Sequence, residues 1–199
     1  MIGSHLIFGA YGFWLPNDPR GSWSDFVGAW NLLRFGPATT TNEAVSLAHN
    51  EHNRRARVAA KESLKRPAVE FNGIQARTIG EGIAQYAASS GLKIWACAIL
   101  PDHVHLVVGA FRIDPKQIVV QLKGSATERL LAVKLHPFGD RHANGRVPKC
   151  FARGQWEVFL DTPDEVLRAI RYAEENPVKE GKPRQRWSFV APFDPNDYR

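Results

Sequence analysis

The segment LKIWACAILPDHVHLVVGA, residues 92–110, carries more information about the architecture than any other part of this chain. It consists of two apolar runs rich in Ile, Val and Ala, and Ile and Val are typical of β-strands. Between the runs stand Pro101 and Asp102, two residues that favour a tight turn. The segment therefore predicts a β-hairpin whose second strand begins at His103.

The second strand of this hairpin carries two imidazoles, His103 and His105, separated by one apolar residue. Because successive side chains of a strand point to opposite faces, the two imidazoles lie on one face, and Val104 and Leu106 lie on the other. One face can then pack into a core while the other offers two nitrogen donors to a metal. Chance would place ~0.1 such His-apolar-His triplets in a chain of this composition, so the spacing alone does not establish a site.

The hairpin lies within an alternation of predicted strands and helices. The other predicted elements are a first strand over 5–14, helices over 74–90 and from Pro115, a strand over 155–160, and a last helix from Thr162 to Asn176, stopped by Pro177. The order βαββαβ followed by one more helix is that of a ferredoxin-like α+β sandwich with an antiparallel sheet. In this arrangement the first and third strands are central, so the strand with the two imidazoles is held rigidly among its neighbours.

One domain spanning residues 1–199 is expected from the length of the chain. Residues 15–72 form an insertion after the first strand, with a turn-rich start and a polar, basic helix within 41–65. Residues 178–199 form a basic and aromatic tail after the last helix. The function of the insertion, as a DNA-gripping arm or as a spacer, stays open at this point.

The composition allows a conventional core and favours an anionic partner. Hydrophobic residues make up 44% of the chain, which is ordinary for a globular protein. The 26 Lys and Arg outnumber the 20 Asp and Glu, so the formal net charge is +6. Such an excess favours a polyanion, since cationic side chains displace counterions from phosphates. A soluble basic protein without such a partner is the alternative.

The remaining composition signals concern the cellular setting. Cys97 and Cys150 stand without a CxxC neighbour, so neither a zinc site nor a disulfide framework is expected. No run approaches the roughly 18 apolar residues of a membrane span. The N-terminus lacks the basic and apolar regions of a signal peptide. These features predict a reducing, cytoplasmic setting.

A second motif lies on the last predicted helix. Tyr172 and Asn176 are four residues apart and therefore share one face. If this helix packs across the sheet, it brings both side chains over His103 and His105. Two imidazoles and one amide oxygen would then surround a cation, with a phenol beside it and positions left open for water and phosphate oxygens. Such a mixed set of nitrogen and oxygen ligands suits Mg²⁺ or Mn²⁺.

These two motifs resemble those of the HUH single-tyrosine transposases, and most closely those of the REP-associated tyrosine transposase branch. The similarity lies in LPDHVHLVV, residues 100–108, and in IRYAEENPVKEG, residues 170–181, where Asn-Pro-Val follows three residues after a Tyr and a Gly comes shortly afterwards. Residues 122–124 (LKG) and 154–156 (GQW) are also similar. The resemblance covers about 75–190 and the first strand.

The resemblance implies a residue-by-residue assignment of the site. His103 and His105 would bind the metal, Asn176 would be the third ligand, and Tyr172 would be the nucleophile. The tyrosine attacks a backbone phosphorus of single-stranded DNA, keeps the 5′ phosphate as a phosphotyrosine and releases a 3′ hydroxyl. Attack by another 3′ hydroxyl then rejoins the strands. We find no convincing general base beside the tyrosine in the sequence.

The resemblance also implies the partner and the oligomeric state. The DNA of this family is a short REP-like hairpin with a single-stranded foot. Related insertion-sequence enzymes are dimers that exchange the tyrosine helix, whereas the resemblance to the REP-associated branch implies a monomer. We therefore expect a monomer and keep a homodimer as the alternative. Basic and aromatic side chains that would contact this DNA are Lys123, Arg54, Arg55, Lys179, Lys182 and Trp187.

Two other functions fit the same residues. The sheet could serve a non-catalytic module that binds single-stranded nucleic acid, as RNA-recognition domains do. The histidines could also serve a metal-dependent phosphodiesterase that uses water as the nucleophile. A covalent protein–DNA adduct distinguishes the transposase chemistry from both alternatives, since neither of them forms one.

Overall fold

The computed structural model describes residues 1–15, 30–36, 53–139 and 145–198. The strands within these residues are β1 (Gly3–Gly9), β2 (Ile94–Ile99), β3 (His103–Gly109) and β4 (Trp156–Leu160). The helices are α1 (Arg54–Glu62), α2 (Gly73–Ser90), α3 (Pro115–Ala132) and α4 (Pro163–Lys179), with short 3₁₀ helices at Trp30–Phe35 and Pro195–Tyr198.

The strands form one antiparallel sheet in the order β2-β3-β1-β4. This is the ferredoxin-like order, so the predicted α+β fold is confirmed. As predicted, the two central strands are β3 and β1. Their register places Ile7 opposite His105 and Gly9 opposite His103. The β3 imidazoles therefore lie in the middle of the sheet, beside the first strand of the chain.

The two faces of the sheet bury different clusters. Leu6 and Phe8 of β1 join Val104 and Leu106 of β3 in the larger core, beneath α2 and α3. Each fully buried Leu in such a core contributes roughly 1.5–3 kcal/mol to folding. On the opposite face, Val107 packs against α4. The alternation predicted for β3 is confirmed, and the face with the histidines is the one that α4 covers.

Helix α4 begins where the sequence predicts, directly after its N-cap residue Thr162. The Thr162 side chain accepts a hydrogen bond from the Glu165 backbone N–H, and the Glu165 carboxylate accepts one from the Thr162 backbone N–H. This reciprocal capping box satisfies two N–H groups that the helix leaves without intrahelical partners. It fixes where the helix begins and therefore which of its residues face the sheet.

The end of α4 differs from the prediction. The helix does not stop at Pro177 but continues to Lys179, with Glu180 as the C-cap. Pro177 cannot donate a backbone hydrogen bond, but its ring is buried, and the carbonyls of Asn176 and Pro177 both accept from the Glu180 N–H. Gly181 then ends the helix with a φ of +70°, a conformation that favours glycine.

The insertion and the tail both bond to the sheet domain. The predicted helix over 41–65 is present as α1, and the part of that prediction over 41–52 lies outside the described residues. After α1, the Val69 N–H donates to Tyr11 and the Phe71 N–H donates to Pro101. These bonds fix the end of the insertion against the strand ends where the histidines begin.

The tail covers the outer edge of β2. The Gln185 side chain accepts from the Ile99 N–H at 2.8 Å and donates to the Ile99 carbonyl at 2.7 Å. Further along, the Ala191 N–H donates to the Ile94 carbonyl at 2.9 Å. These bonds pair backbone groups that an edge strand otherwise leaves open. Along the described chain, no helix combines the length and the apolarity needed to cross a bilayer.

Candidate active site

The two β3 histidines are buried side by side beneath α4. Their ring centroids are 4.8 Å apart, and His103 and His105 are only 7% and 3% exposed. His103 Nδ1 lies 2.7 Å from the Asp102 carboxylate. Because an ionised carboxylate only accepts, His103 donates from Nδ1, and in the neutral ring the lone pair is on Nε2. Metal-binding imidazoles commonly donate their second ring N–H to a carboxylate in this way, which fixes the orientation of the ring.

A third imidazole, which the sequence analysis missed, belongs to His5 of β1. Its Nε2 lies 3.1 Å from His105 Nδ1, and the two rings are nearly parallel with centroids 5.3 Å apart. The two residues are 100 positions apart in the sequence. Only the pairing of β1 with β3 brings them together, so no local spacing in the sequence signals the contact.

Tyr172 of α4 lies directly beside these imidazoles. Its ring centroid is 5.6 Å from that of His105 and 5.8 Å from that of His5, in both cases edge to face. Small neighbours on the helix, Ala169 and Ala173, pack against the sheet and let the helix approach closely. Tyr172 itself is 38% exposed, so a substrate in solvent can reach its side chain.

Asn176 lies one turn further along α4. Its Nδ2 donates to the Tyr172 backbone carbonyl at 2.8 Å. This bond fixes which end of the amide faces away from the helix and leaves Oδ1 as the atom that can act as a ligand or acceptor. The structure thus places the tyrosine and the asparagine on one helix face, as their spacing predicts.

A candidate metal centre lies at the start of β3. Ligand atoms of Asp102, His103 and Glu180 all lie within 4.8 Å of one another. Imidazole nitrogen together with carboxylate oxygens suits Mg²⁺ or Mn²⁺, so the donor set fits the expected ion. Glu180 was not among the predicted ligands, because the sequence analysis ended the helix before it. The carboxylates of Asp102 and Glu180 would add negative charge that the predicted set of imidazoles and an amide lacks.

Burial keeps two of the imidazoles uncharged. Desolvation lowers the pKa of His5 from 6.5 to about 4. Desolvation, with the nearby His103 and His5, holds the pKa of His105 well below its usual value. Neutral imidazole is the form that binds a metal, and it needs to lose no proton to do so. His105 therefore needs to lose no proton before it can bind a cation near neutral pH.

The lowered pKa of His5 predicts that acid destabilises the metal-free protein. Unfolded His5 takes up a proton as the pH falls through 6.5, whereas the folded residue does so only near pH 4. Protonation therefore favours the unfolded chain in this window, by up to roughly 3 kcal/mol. Urea unfolding at pH 7 and pH 4 should show a smaller pH effect for His5→Gln than for the wild type. An equal loss of unfolding free energy between pH 7 and pH 4 in the two proteins would contradict the lowered pKa of His5.

The basic residues predicted to contact DNA occupy two different settings. Arg54 and Arg55 are exposed on the first turn of α1. Lys179 and Lys182 flank the end of α4, and their ammonium groups lie 3.3 Å from Glu175 and 3.9 Å from Glu180, respectively. Lys179 Nζ also lies 5.0 Å from the centroid of the Tyr172 ring. Lys179 is therefore close to the candidate nucleophile.

The other two predicted DNA contacts have structural partners. Lys123 Nζ donates to the carbonyls of Ala152 and Gly154, each at 2.8 Å. Burial, and to a lesser degree Lys149, lowers the pKa of Lys123 to about 8. Trp187 packs closely on Gly80 of α2 and joins the edge of the larger core. Both side chains have a role in holding the fold, which the sequence did not reveal.

The structure has a ferredoxin-like sheet, and its buried imidazoles lie under a helix that carries a tyrosine. This is the arrangement that the resemblance to the HUH transposases implies. Comparison with known families agrees: residues 55–137 match the family model described as IS200-like transposase. The predicted resemblance to the transposases is therefore confirmed. The matched residues include His103 and His105 and end before Tyr172 and Asn176.

Two solved structures are similar to this chain. One, a REP-associated tyrosine transposase bound to a REP hairpin, is 13% identical, and the match covers 90% of this chain and 68% of that chain with a TM-score of 0.48. The other, from Deinococcus radiodurans R1 and also classed as a transposase, is 14% identical and covers 91% of each chain with a TM-score of 0.39. No curated protein matches the sequence.

Proposed function

We propose that this chain is a metal-dependent endonuclease and strand transferase for single-stranded DNA, with Tyr172 as its nucleophile and hairpin-flanked sites as its substrate. The observation that carries the proposal is the position of the phenol ring, 5.6 Å from the ring of His105 and within reach of solvent. The family match over residues 55–137 supports a transposase, and the net charge of +6 supports a DNA partner.

The proposed reaction is a transesterification. The Tyr172 oxygen forms a bond to the phosphorus, and the bond from phosphorus to the 3′ oxygen breaks. The phenol proton leaves to solvent, which reaches the 38% exposed side chain, and the departing 3′ oxygen takes up a proton. A protonated phenol is a weak nucleophile. The ammonium group of Lys179 lies 5.0 Å from the ring centroid and supplies a positive charge beside the proposed nucleophile.

The proposed ligands divide between strand and helix. His103 and His105 supply imidazoles from β3, Asn176 supplies an amide oxygen from α4, and Asp102 and Glu180 supply carboxylates beside His103. A bound Mg²⁺ or Mn²⁺ would stabilise the negative charge that develops on the phosphate oxygens.

We also propose that residues 1–199 act as one domain and as a monomer. The end of the insertion donates backbone hydrogen bonds to Tyr11 and Pro101, and the tail bonds to Ile94 and Ile99 of β2. Both segments are therefore attached to the same sheet that carries the histidines. These bonds support a single cooperative unit.

The decisive experiment is incubation with a labelled single-stranded DNA library that contains hairpins, in the presence of Mn²⁺. The proposal expects a labelled protein band on a denaturing gel, because the 5′ phosphate stays bonded to the protein. Cleavage without a labelled band would instead support a phosphodiesterase that uses water. Retention of DNA without cleavage would support a non-catalytic binding module. Either of these outcomes overturns the proposed reaction.

DNA binding should depend on salt through the exposed arginines of α1. Each phosphate contact to a single strand contributes about 0.7 to the slope of log affinity against log salt concentration. The double substitution Arg54→Gln and Arg55→Gln should therefore reduce the slope by about 1.4 if both residues contact phosphates. Fluorescence anisotropy at several salt concentrations measures this slope.

A variant with the same change in charge serves as the control. Arg112 and Lys116 lie beyond the C-terminal end of β3, opposite the end where His103 begins. Replacing both with Gln should leave the slope unchanged. Equal reductions in the two double variants would indicate a diffuse charge effect and would contradict a DNA-contacting face on α1.

A further inference from the structure

We infer that His5 is a positioning residue that holds His105 in the tautomer with its proton on Nδ1, as Asp102 does for His103. The consequence for catalysis rests on the proposed function, whereas the tautomer itself does not. The starting observation is the buried contact of 3.1 Å between His5 Nε2 and His105 Nδ1. One of these nitrogens must donate and the other must accept.

The inferred direction of this hydrogen bond follows the pattern of the neighbouring pair, His103 and Asp102. His103 donates from Nδ1 to the Asp102 carboxylate at 2.7 Å, so the lone pair of the neutral ring is on Nε2. His105 is the next residue of β3 on the same face, and its Nδ1 is occupied by His5 Nε2 at 3.1 Å. If His105 donates to His5, both β3 imidazoles present an Nε2 lone pair. This is the arrangement that two neighbouring ligands of one cation need.

The geometry favours a positioning role for His5 over a role as a ligand. Its Nε2 is already occupied by His105 Nδ1 at 3.1 Å. Its ring is nearly parallel to that of His105, and the edge of Tyr172 meets both rings. His5 therefore supports the ring of His105 from the adjacent strand.

The first test measures the tautomer directly in the metal-free full-length protein. Long-range ¹H–¹⁵N correlation spectra distinguish the two neutral forms of a histidine by the shifts of its ring nitrogens. We expect His105 to carry its proton on Nδ1 in the wild type and in His5→Gln, where the amide oxygen can still accept. We expect the His105 tautomer to change in His5→Leu, which offers no acceptor.

The control for this measurement is His136→Gln. His136 is also a buried histidine, but it contacts Phe138 and lies outside the site. Its substitution should leave the His105 spectrum unchanged. A proton on Nε2 of His105 in the wild type would overturn the inference, and so would an identical tautomer in His5→Leu. Since His5→Gln keeps a polar partner, it separates loss of the contact from general misfolding.

The second test measures Mn²⁺ affinity by titration calorimetry. Loss of a partner of a metal-binding histidine typically weakens binding by about 10- to 100-fold. We expect a loss of this size for His5→Leu and most of the affinity restored in His5→Gln. Equal affinities in the wild type and His5→Leu would overturn the positioning role. Absence of Mn²⁺ binding in the wild type, with the expected tautomers observed, would reject the proposed metal and leave the His5–His105 assignment intact.

Discussion

Replacing Tyr172 with Phe should abolish the covalent protein–DNA adduct and leave the binding of single-stranded DNA nearly unchanged. The hydroxyl is the proposed nucleophile, and removal of a nucleophile that forms a covalent intermediate costs at least ~10³-fold in rate. The ring contacts with His5, His105 and Lys179 do not involve the hydroxyl. Phe should therefore keep the local packing.

Gel separation of adducts and anisotropy with the same DNA measure the two quantities side by side. Tyr86→Phe provides a matched control, because Tyr86 belongs to α2 and packs on the opposite face of the sheet. This control should form the adduct at the wild-type rate. If Tyr172→Phe nicks a hairpin substrate as fast as the wild type, Tyr172 is not the nucleophile.

Replacing His103 with Ala should remove cleavage at any practicable concentration of Mn²⁺. Among the residues that the structure describes, His103 is the imidazole that clusters with the carboxylates of Asp102 and Glu180, so its loss removes the nitrogen donor from this group. Its ring also stacks on Phe13 at a centroid distance of 4.9 Å. Thermal unfolding must therefore accompany the activity assay, in order to separate a lost ligand from a damaged fold.

The control for His103→Ala is His136→Ala, which removes a buried imidazole elsewhere in the molecule. The two variants should lose comparable stability, but only His103→Ala should lose Mn²⁺-dependent cleavage and Mn²⁺ binding. Cleavage retained by His103→Ala would indicate that the pair of histidines serves the fold alone.

Local patterns predicted much of this fold because each depends on neighbouring residues. The alternation along β3 placed His103 and His105 on one face, and the capping signal at Thr162 fixed the start of α4. The helical spacing of Tyr172 and Asn176 then placed both on one side of that helix. Periodicity and capping are properties of a few consecutive residues, so a single sequence is enough to reveal them.

The missed residues depend on contacts between distant parts of the chain. His5 meets His105 only through the register of two strands that are far apart in sequence. Glu180 joins the candidate metal centre only because α4 continues through a buried proline. The carbonyl partners of Lys123 likewise come from residues that are 29 and 31 positions later in the chain. A spacing rule cannot anticipate these contacts, because packing of the whole domain creates them.

The two hydrogen bonds between Gln185 and Ile99 also bear on whether two copies of the chain could exchange the helix that carries Tyr172. Gln185 lies shortly after α4, the helix that carries Tyr172. Its bonds to Ile99 therefore hold α4 close to β2 of the same chain. Two copies that traded this helix would have to give up these bonds, together with the one from Ala191 to Ile94, or rebuild them across a dimer. The tether therefore favours the proposed monomer, in which Tyr172 would act with the histidines of its own chain.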